Sequence, residues 1–292
     1  MLISVIVPVT SAEKRLERML ESLFMQEDIS DCQIIVIDNG TQGKVENLIR
    51  HNYPDISLIV NQKNEGSSIA RNQGMASAKG DYIVFMDCDI ELERNFFTNL
   101  KIILKDLPKG IAGLSPKIID KETERVFSCG LFVSPIYRVH DVGRQKLASK
   151  YSTTFRIDGP NSCCAIFRRS FLEEVKEKDY FDKDFFFLFE DADLALRLKK
   201  KGYKCVFTPD LITYHYGNSS GISQERRRFF CFRNRLYMVI KYNHSTGLLK
   251  FFLKSFFYDL FRTIHFFLTN RYFFEVWSSL VKKYQDEKNS YN

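Results

Sequence analysis

Ile83-Val84-Phe85-Met86-Asp87-Cys88-Asp89 is an apolar run of β type that stops in two carboxylates one residue apart. The lack of alternation predicts a strand buried on both faces, and open α/β sheets gather ligands at the carboxyl ends of such strands. In an extended Asp-x-Asp the two side chains point to opposite sides of the backbone. A bend after Met86 would instead let both reach one hard cation, Mg2+ or Mn2+, and a cation held this way grips a diphosphate. The plainer alternative is that Asp87 and Asp89 only end a strand and open a turn.

The preceding residues alternate strand and helix signals. Ile3 to Val7 reads as a strand, and Glu13 to Phe24 as a helix in which Leu16, Met19, Leu20 and Leu23 recur on one face. Gln33 to Ile37 is a second strand ending at the turn signal Asp38-Asn39-Gly40, followed by a helix from about Lys44 to His51 and a strand from Ile56 to Val60. This order predicts an α/β fold with a mostly parallel central sheet and helices on both faces, because parallel strands need crossover connections. Asp38, Asn61 and Asp87 to Asp89 all fall at carboxyl ends of strands. Between them, Gly66 suits a close approach of backbone to ligand, and Ser67-Ser68 suit a helix cap. Arg71, on that helix, needs a carboxylate or phosphate partner if it is buried.

With 292 residues, 45% of them hydrophobic, the chain can bury a substantial core in one large domain with an appendage or in two small ones. Lys and Arg number 43 against 36 acids, and the excess lies late in the chain. Seven cysteines without a Cys-x-x-Cys indicate neither a disulfide framework nor a zinc site, so a cytoplasmic setting is expected. Cys163-Cys164 read as small buried hydrophobes. The first strand follows the N-terminus with no apolar signal core, which argues against export. No Gly-x-Gly-x-x-Gly follows strand one and no Walker loop occurs, which weakens a dinucleotide-dependent oxidoreductase or a nucleotidyltransferase.

The order Ser4-Val5-Ile6-Val7-Pro8, Asp38, the block Asn64-x-Gly66-x-x-x-Ala70-Arg71-Asn72-x-Gly74, and Asp87-x-Asp89 resembles glycosyltransferase family 2, whose members are inverting enzymes with the GT-A fold. Phe181 to Arg197 with Glu190-Asp191-Ala192-Asp193, then Gly202-Tyr203, His215 and Ser219-Ser220-Gly221, resemble the subgroup that includes bacterial rhamnosyltransferases. The similarity spans roughly residues 2 to 240.

The resemblance implies a donor side formed by Pro8, Thr10, Asp38, Asn64, Gly66, Arg71 and Asp87. There Asp38 would receive a pyrimidine base, or else serve only as a turn residue before Gly40. It implies a metal on Asp89, with Asp87 nearer the ribose or a metal-bound water and His215 completing the site. An imidazole ligand would favour Mn2+ over Mg2+. Asp191 matches the catalytic base, with Glu190 beside it, although Glu190, Asp191 and Asp193 also suit the start of a helix simply as charges. Phe185 to Phe189 would desolvate these acids, or be plain core. Gly159 and Asn161 match a loop beneath the acceptor. Three departures stand out: Thr10-Ser11 where many relatives carry Tyr-Asn, so that an aromatic stacked on the base is missing; Thr41 in place of a common Ser; and Cys88 between the carboxylates. Lys117 to Phe155 resembles nothing and is expected to shape acceptor choice.

Past residue 222 the character changes. Arg226-Arg227-Arg228, Phe229-Phe230 and Arg233-Asn234-Arg235 precede a helix in which Leu249, Phe252, Leu253, Phe256, Phe257, Leu260, Phe261, Ile264, Phe267 and Leu268 share one face, with Lys250, Lys254, Tyr258 and Arg262 along another. A basic, aromatic-rich amphipathic helix suits the surface of an anionic membrane, or packing on the domain or on a second subunit as a homodimer. Nucleic acid is not expected, since the basic residues lie amid phenylalanines.

The expectation is therefore a catalytic domain over 1–222 and a helical region over 223–292. The protein would be an inverting, metal-dependent transferase moving a sugar from dTDP-rhamnose or a UDP-hexose to a hydroxyl of a cell-surface glycan or lipid-linked acceptor. It would be cytoplasmic and peripheral at the inner face of the membrane. The alternative is a catalytically silent glycan-binding or scaffolding relative, against which the joint presence of Asp87, Asp89 and Asp191 speaks.

Overall fold

A computed structural model describes residues 1–11, 13–217, 221–243 and 247–290; Ser219-Ser220 lies outside them. Strands and helices alternate as the apolar periods require: β1 (Ile3–Val9), α1 (Glu13–Phe24), β2 (Cys32–Asn39), α2 (Lys44–Asn52), β3 (Ser57–Asn61), α3 (Ser67–Ser77) and β4 (Tyr82–Met86). After the Asp-x-Asp turn come β5 (Ile90–Leu92), α4 (Phe96–Lys105), β6 (Ile111–Asp120), β7 (Val126–Ser128), β8 (Leu131–Val133), β9 (Val139–Asp141) and β10 (Phe155–Ile157). The chain continues through β11 (Cys164–Arg168), α5 (Arg169–Val175), α6 (Glu190–Lys200) and β12 (Lys204–His215), and then through α7 (Gln224–Asn243), α8 (Leu248–Thr269) and α9 (Phe273–Ser290).

The main sheet has the order β10-β12-β6-β11-β4-β1-β2-β3, with β5 and β7 paired off this path to β12 and β6. β1 to β4 are mutually parallel, β11 is antiparallel to both β4 and β6, and β12 is parallel to β6. Six of the eight strands on the path thus run one way. Alternate residues feed opposite cores. Val5 and Val7 pack with Leu16 and Met19 of α1 and Phe97 of α4, while Ile6 packs with Ala70 of α3 and Leu194 and Leu198 of α6. The register pairs Val9 with Asp38 and Asp38 with Val60, so the ends of β1, β2 and β3 align along one edge.

Two compact units result. The first comprises Met1–Phe132 and His140–Gly221, and the second Val133–Val139 and Ile222–Asn292. All the candidate site residues belong to the first. Within the second, α7 packs against α8 and α9. Val133–Val139 comes from the stretch that resembled nothing in sequence.

Candidate active site

The strand ends at Met86: the Asp87 N–H still pairs with the Cys163 carbonyl at 2.8 Å, and the chain then turns through Cys88-Asp89, where the Ile90 N–H donates to the Asp87 carbonyl at 3.3 Å. The two carboxylates then turn to different partners. Asp87 accepts from Arg71 at 3.0 Å, and the other arm of the same guanidinium donates to Glu190 Oε1 at 2.6 Å. Arg71 is 3% exposed. Burial works against its charge, but Asp87 and Glu190 outweigh burial and hold its pKa above the usual range. Burial raises the Asp87 carboxyl, with Arg71 opposing.

Glu190 and Asp191 open α6, whose N-terminus is set by two successive left-handed residues, Leu188 (φ 68°) and Phe189 (φ 75°). Such backbone costs about 1 kcal/mol or more for each non-glycine residue and persists only where the surroundings fix it. The half-buried Asp191 accepts N–H bonds from Ala192 at 2.8 Å and Ser162 at 3.4 Å. Burial first, and the neighbouring Glu190 second, push its carboxyl up to about 7. That value suits a group that must hold a proton and release it near neutrality. Asp193 has another task. It is fully buried against Arg197 at 2.9 Å, whose other nitrogens donate to the carbonyls of Val175 and Tyr180.

The Asn64-to-Gly74 block turns out to hold this acidic loop. Ser67 N–H donates to the Phe186 carbonyl at 2.8 Å, Ser68 Oγ to the Phe185 carbonyl at 2.6 Å, and Ser67 Oγ to Glu190 at 3.0 Å. Asn72 closes a two-way pair with the backbone of Phe181. The expected helix cap is therefore corrected: Gly66 occupies the cap position, and the serine hydroxyls serve the loop instead. A Cβ on Gly66 would lie 2.6 Å from the Phe186 carbonyl oxygen, so the backbone of the acidic loop makes a close approach there. Phe185 is core, while Phe186, Phe187 and Phe189 are half-buried beside the acids.

Asp89 is 2% exposed, with Oδ2 3.5 Å from His215 Nε2 and 3.8 Å from an Arg15 nitrogen. Its Oδ1 is buried without a partner. His215 stacks on Phe127 at 4.0 Å, and its Nδ1 accepts the Gly217 N–H at 2.9 Å. An accepting Nδ1 puts the ring hydrogen on Nε2, the atom facing Asp89, so ligation through Nε2 requires the Gly217 contact to open. Among the described residues no three His, Cys, Asp or Glu side chains gather closely enough to hold a metal ion. The orphaned Asp89 oxygen nonetheless fits a hard cation, because a buried carboxylate oxygen without a donor otherwise goes unsatisfied.

The remaining residues expected on the donor side lie along the sheet edge. Pro8 and Thr10 are half-buried at the end of β1. Asp38 is fully buried, its two oxygens accepting the N–H groups of Thr41 at 2.8 Å and Glu46 at 3.2 Å, which is the turn reading. Thr41 keeps the hydroxyl of the common serine and accepts from Val45 N–H. Sequence reasoning missed a ladder of amides: Asn39 joins Asn61 at 2.9 Å and Asn64 at 3.1 Å, and Asn61 joins Gln73 at 2.9 Å. Asn64 then accepts the Gly66 N–H, which makes it a loop brace. Of the two residues expected on the acceptor side, Gly159 lies so close to α6 that a Cβ would meet that of Ala195 at 2.5 Å. Asn161 donates to Asp141 and accepts from Cys163 N–H. The 159–163 loop thus touches Asp191 through Ser162 and Asp87 through Cys163. Cys164 is fully buried as expected, Cys163 half-buried, and all seven cysteines are thiols.

Residues 4–176 match the pattern of Glycosyl transferase family 2. A dolichyl N-acetyl-α-D-glucosaminyl phosphate 3-β-D-2,3-diacetamido-2,3-dideoxy-β-D-glucuronosyltransferase of Methanococcus voltae is 25% identical over 231 residues, covering 75% of this chain and 68% of its own length. The uncharacterized glycosyltransferase YfnE of Bacillus subtilis is 28% identical over 206 residues, 68% of this chain and 45% of YfnE. Two solved structures share the fold: GalNAc-T7 with UDP, GalNAc and Mn2+, at a TM-score of 0.59 and 17% identity over 74% of this chain and 43% of that one; and the mannosyltransferase PcManGT of Pyrobaculum calidifontis with GDP-Man and Mn2+, at 0.57 and 16% over 96% and 74%. The chain spans less than half the length of YfnE and of the GalNAc-T7 chain.

Proposed function

Since this chain belongs to glycosyl transferase family 2 and has its α/β GT-A fold, we propose that it is an inverting transferase carrying a sugar from a nucleoside diphosphate to an acceptor hydroxyl, with Asp191 as general base. The observation that carries the reading is the placement of Asp191, with its carboxyl raised to about 7 and Glu190 beside it tied through Arg71 to Asp87 of the Asp-x-Asp turn. In this reading the acceptor oxygen gives its proton to Asp191 as it bonds to the anomeric carbon. The bond from that carbon to the diphosphate oxygen breaks on the opposite face, which inverts the centre. Glu190 and Arg71 position the base and do not exchange a proton with substrate.

Asp89 would hold a divalent cation through its free oxygen, with Asp87 and His215 alongside, and Mn2+ is favoured because it accompanies the nucleotides in both structural neighbours. A cation bound there offsets the negative charge growing on the departing diphosphate. The donor is dTDP-rhamnose, from the likeness of Phe181 to Arg197 to rhamnosyltransferases, or a UDP-hexose. The acceptor is a growing surface glycan or a lipid-linked saccharide at the cytoplasmic face of the membrane. The dolichyl-phosphate substrate in the name of the Methanococcus relative supports the lipid-linked form.

A thermal-shift series with nucleoside diphosphates and nucleotide sugars, with and without Mn2+, on the wild type and Asp89→Ala tests this reading. Metal-dependent stabilisation by dTDP or UDP species, absent from Asp89→Ala, is the expected result. Absence of stabilisation by any nucleotide would overturn it in favour of the silent relative.

A further inference from the structure

Among the described residues the predicted apolar face of α8 is largely exposed. Leu253, Phe257, Phe261 and Leu268 are between 68% and 73% exposed, and on α9 Phe274 is 75% and Trp277 44% exposed. No helix of the described residues is long and apolar enough to cross a membrane. Beside an apolar core that includes Phe229, Met238, Val239 and Val276, the second unit buries polar groups. Arg235, 1% exposed, pairs with Asp259 and donates to the Ile136 carbonyl at 3.0 Å, while Ser255 Oγ donates to the same Asp259. Arg262 donates to the Cys231 carbonyl at 2.9 Å, and Phe232 stacks on Phe266 with ring centres 4.4 Å apart and planes within 2°. These contacts fix the rotation of α8 about its axis. Its predicted apolar stripe faces outward because the opposite side, with Phe251, Ser255, Asp259 and Phe266, is held inward.

We infer that the outward stripes of α8 and α9 seat on the surface of an anionic lipid bilayer. Charge supports this occupant over a second copy of the chain. Residues 222–292 hold 13 Lys and Arg against 5 Asp and Glu, a net +8, while the other 221 residues are close to neutral. Two such units repel each other, whereas a negative leaflet attracts each of them. Lys250 and Lys254 are exposed beside the stripe, where they reach headgroups as the phenylalanines enter the acyl boundary, and Trp277 and Tyr284 are of the type that lies at that depth. Together the stripes match the proportions of an interfacial helix pair, not a span. This deepens the reading of a lipid-linked acceptor and rests on that reading for its purpose, since such an acceptor confines the reaction to the membrane plane.

The test is sedimentation of the full chain with phosphatidylcholine vesicles, alone or with about a third phosphatidylglycerol. It uses the wild type, Phe257→Glu/Phe261→Glu and Lys250→Glu/Lys254→Glu, all sites being exposed so that the melting temperatures should hold. The wild type should bind the anionic vesicles about tenfold more than the neutral ones; the lysine variant should lose that preference, and the phenylalanine variant should lose binding to both. A wild type that stays in the supernatant with both vesicles overturns the inference. So does a dimer that the phenylalanine variant splits while vesicle binding is absent. Nucleotide stabilisation measured on the same preparations separates the two readings. Vesicle binding without it would sink the transferase and leave the docking surface, and the converse would sink the surface alone.

Discussion

Arg71 and Glu190 lie 119 residues apart in the chain and 2.6 Å apart in the fold, with side chains 4% and 7% exposed. Through its other nitrogen Arg71 also reaches Asp87, so one buried cation joins the Asp-x-Asp turn to the helix that carries Asp191. The motif around Arg71 is thereby a structural bridge between the two halves of the site.

Arg71→Met should therefore be among the most damaging single changes. It strands Glu190, and in part Asp87, without a counter-charge, and breaking a buried pair from one side costs about 3–5 kcal/mol. Arg71→Met/Glu190→Gln should recover part of that loss. Chemical denaturation measures both, and wild-type stability in the single variant would refute the bridge.

Asp191 links activity and stability with opposite signs. Its carboxyl sits at about 7 in the folded chain against an ordinary 3.8. Between those values the folded state keeps a proton that the unfolded state has lost, so stability falls as pH rises through this window and stays lowered above it. A base is active when deprotonated, so kcat/KM should rise to a plateau above about pH 7. Asp191→Asn should lose about a hundred- to ten-thousandfold in rate and melt higher than the wild type at about pH 8, with no such gain near pH 4. A flat pH–rate profile between about pH 5 and 8 would remove Asp191 from the role of base.

Much of the first unit was legible because its elements carry clean periods. Glu13–Phe24 and Lys44–Asn52 emerge within a residue of their expected bounds, since apolar residues spaced three and four apart admit only a helix there. The turn after Met86 was legible from its acids. The partner of Arg71 was not, because charge names the need for a partner while only the fold supplies Glu190. Nothing in Cys164–Arg168 tells that this strand runs antiparallel between β4 and β6. In α8 the period placed the apolar face correctly and could not give its direction. Orientation depended on Arg235 and Asp259, two charges that sequence rules assign to the outside.

Gly66→Ala should weaken stability and turnover together. Gly66 has φ 90°, and the added methyl would lie 2.6 Å from the Phe186 carbonyl oxygen, in the loop that leads to Glu190 and Asp191. Backbone strain and overpacking together make about 2 kcal/mol or more. Melting temperature and kcat are the measurements, and loss of nucleotide binding alone, at full stability, would return Gly66 to a ligand contact.

Asp38→Asn separates two roles for a carboxylate that ends β2. Both oxygens accept backbone N–H groups, one in the turn at Thr41 and one at Glu46 in the first turn of α2, and the residue is fully buried. An amide has one oxygen and one NH2, so it meets one of those N–H groups with a donor and leaves it unsatisfied, at a cost of about 1–3 kcal/mol. The expected outcome is a lower melting temperature with nucleotide affinity unchanged for the folded fraction, and with little discrimination gained or lost between uracil, thymine and guanine nucleotides. If the base were read by Asp38, the amide would instead present a donor to the ring N–H, and affinity for uracil and thymine nucleotides would fall while stability held. Calorimetric titration of the variant with UDP and GDP, beside its melting curve, decides between the turn and the base.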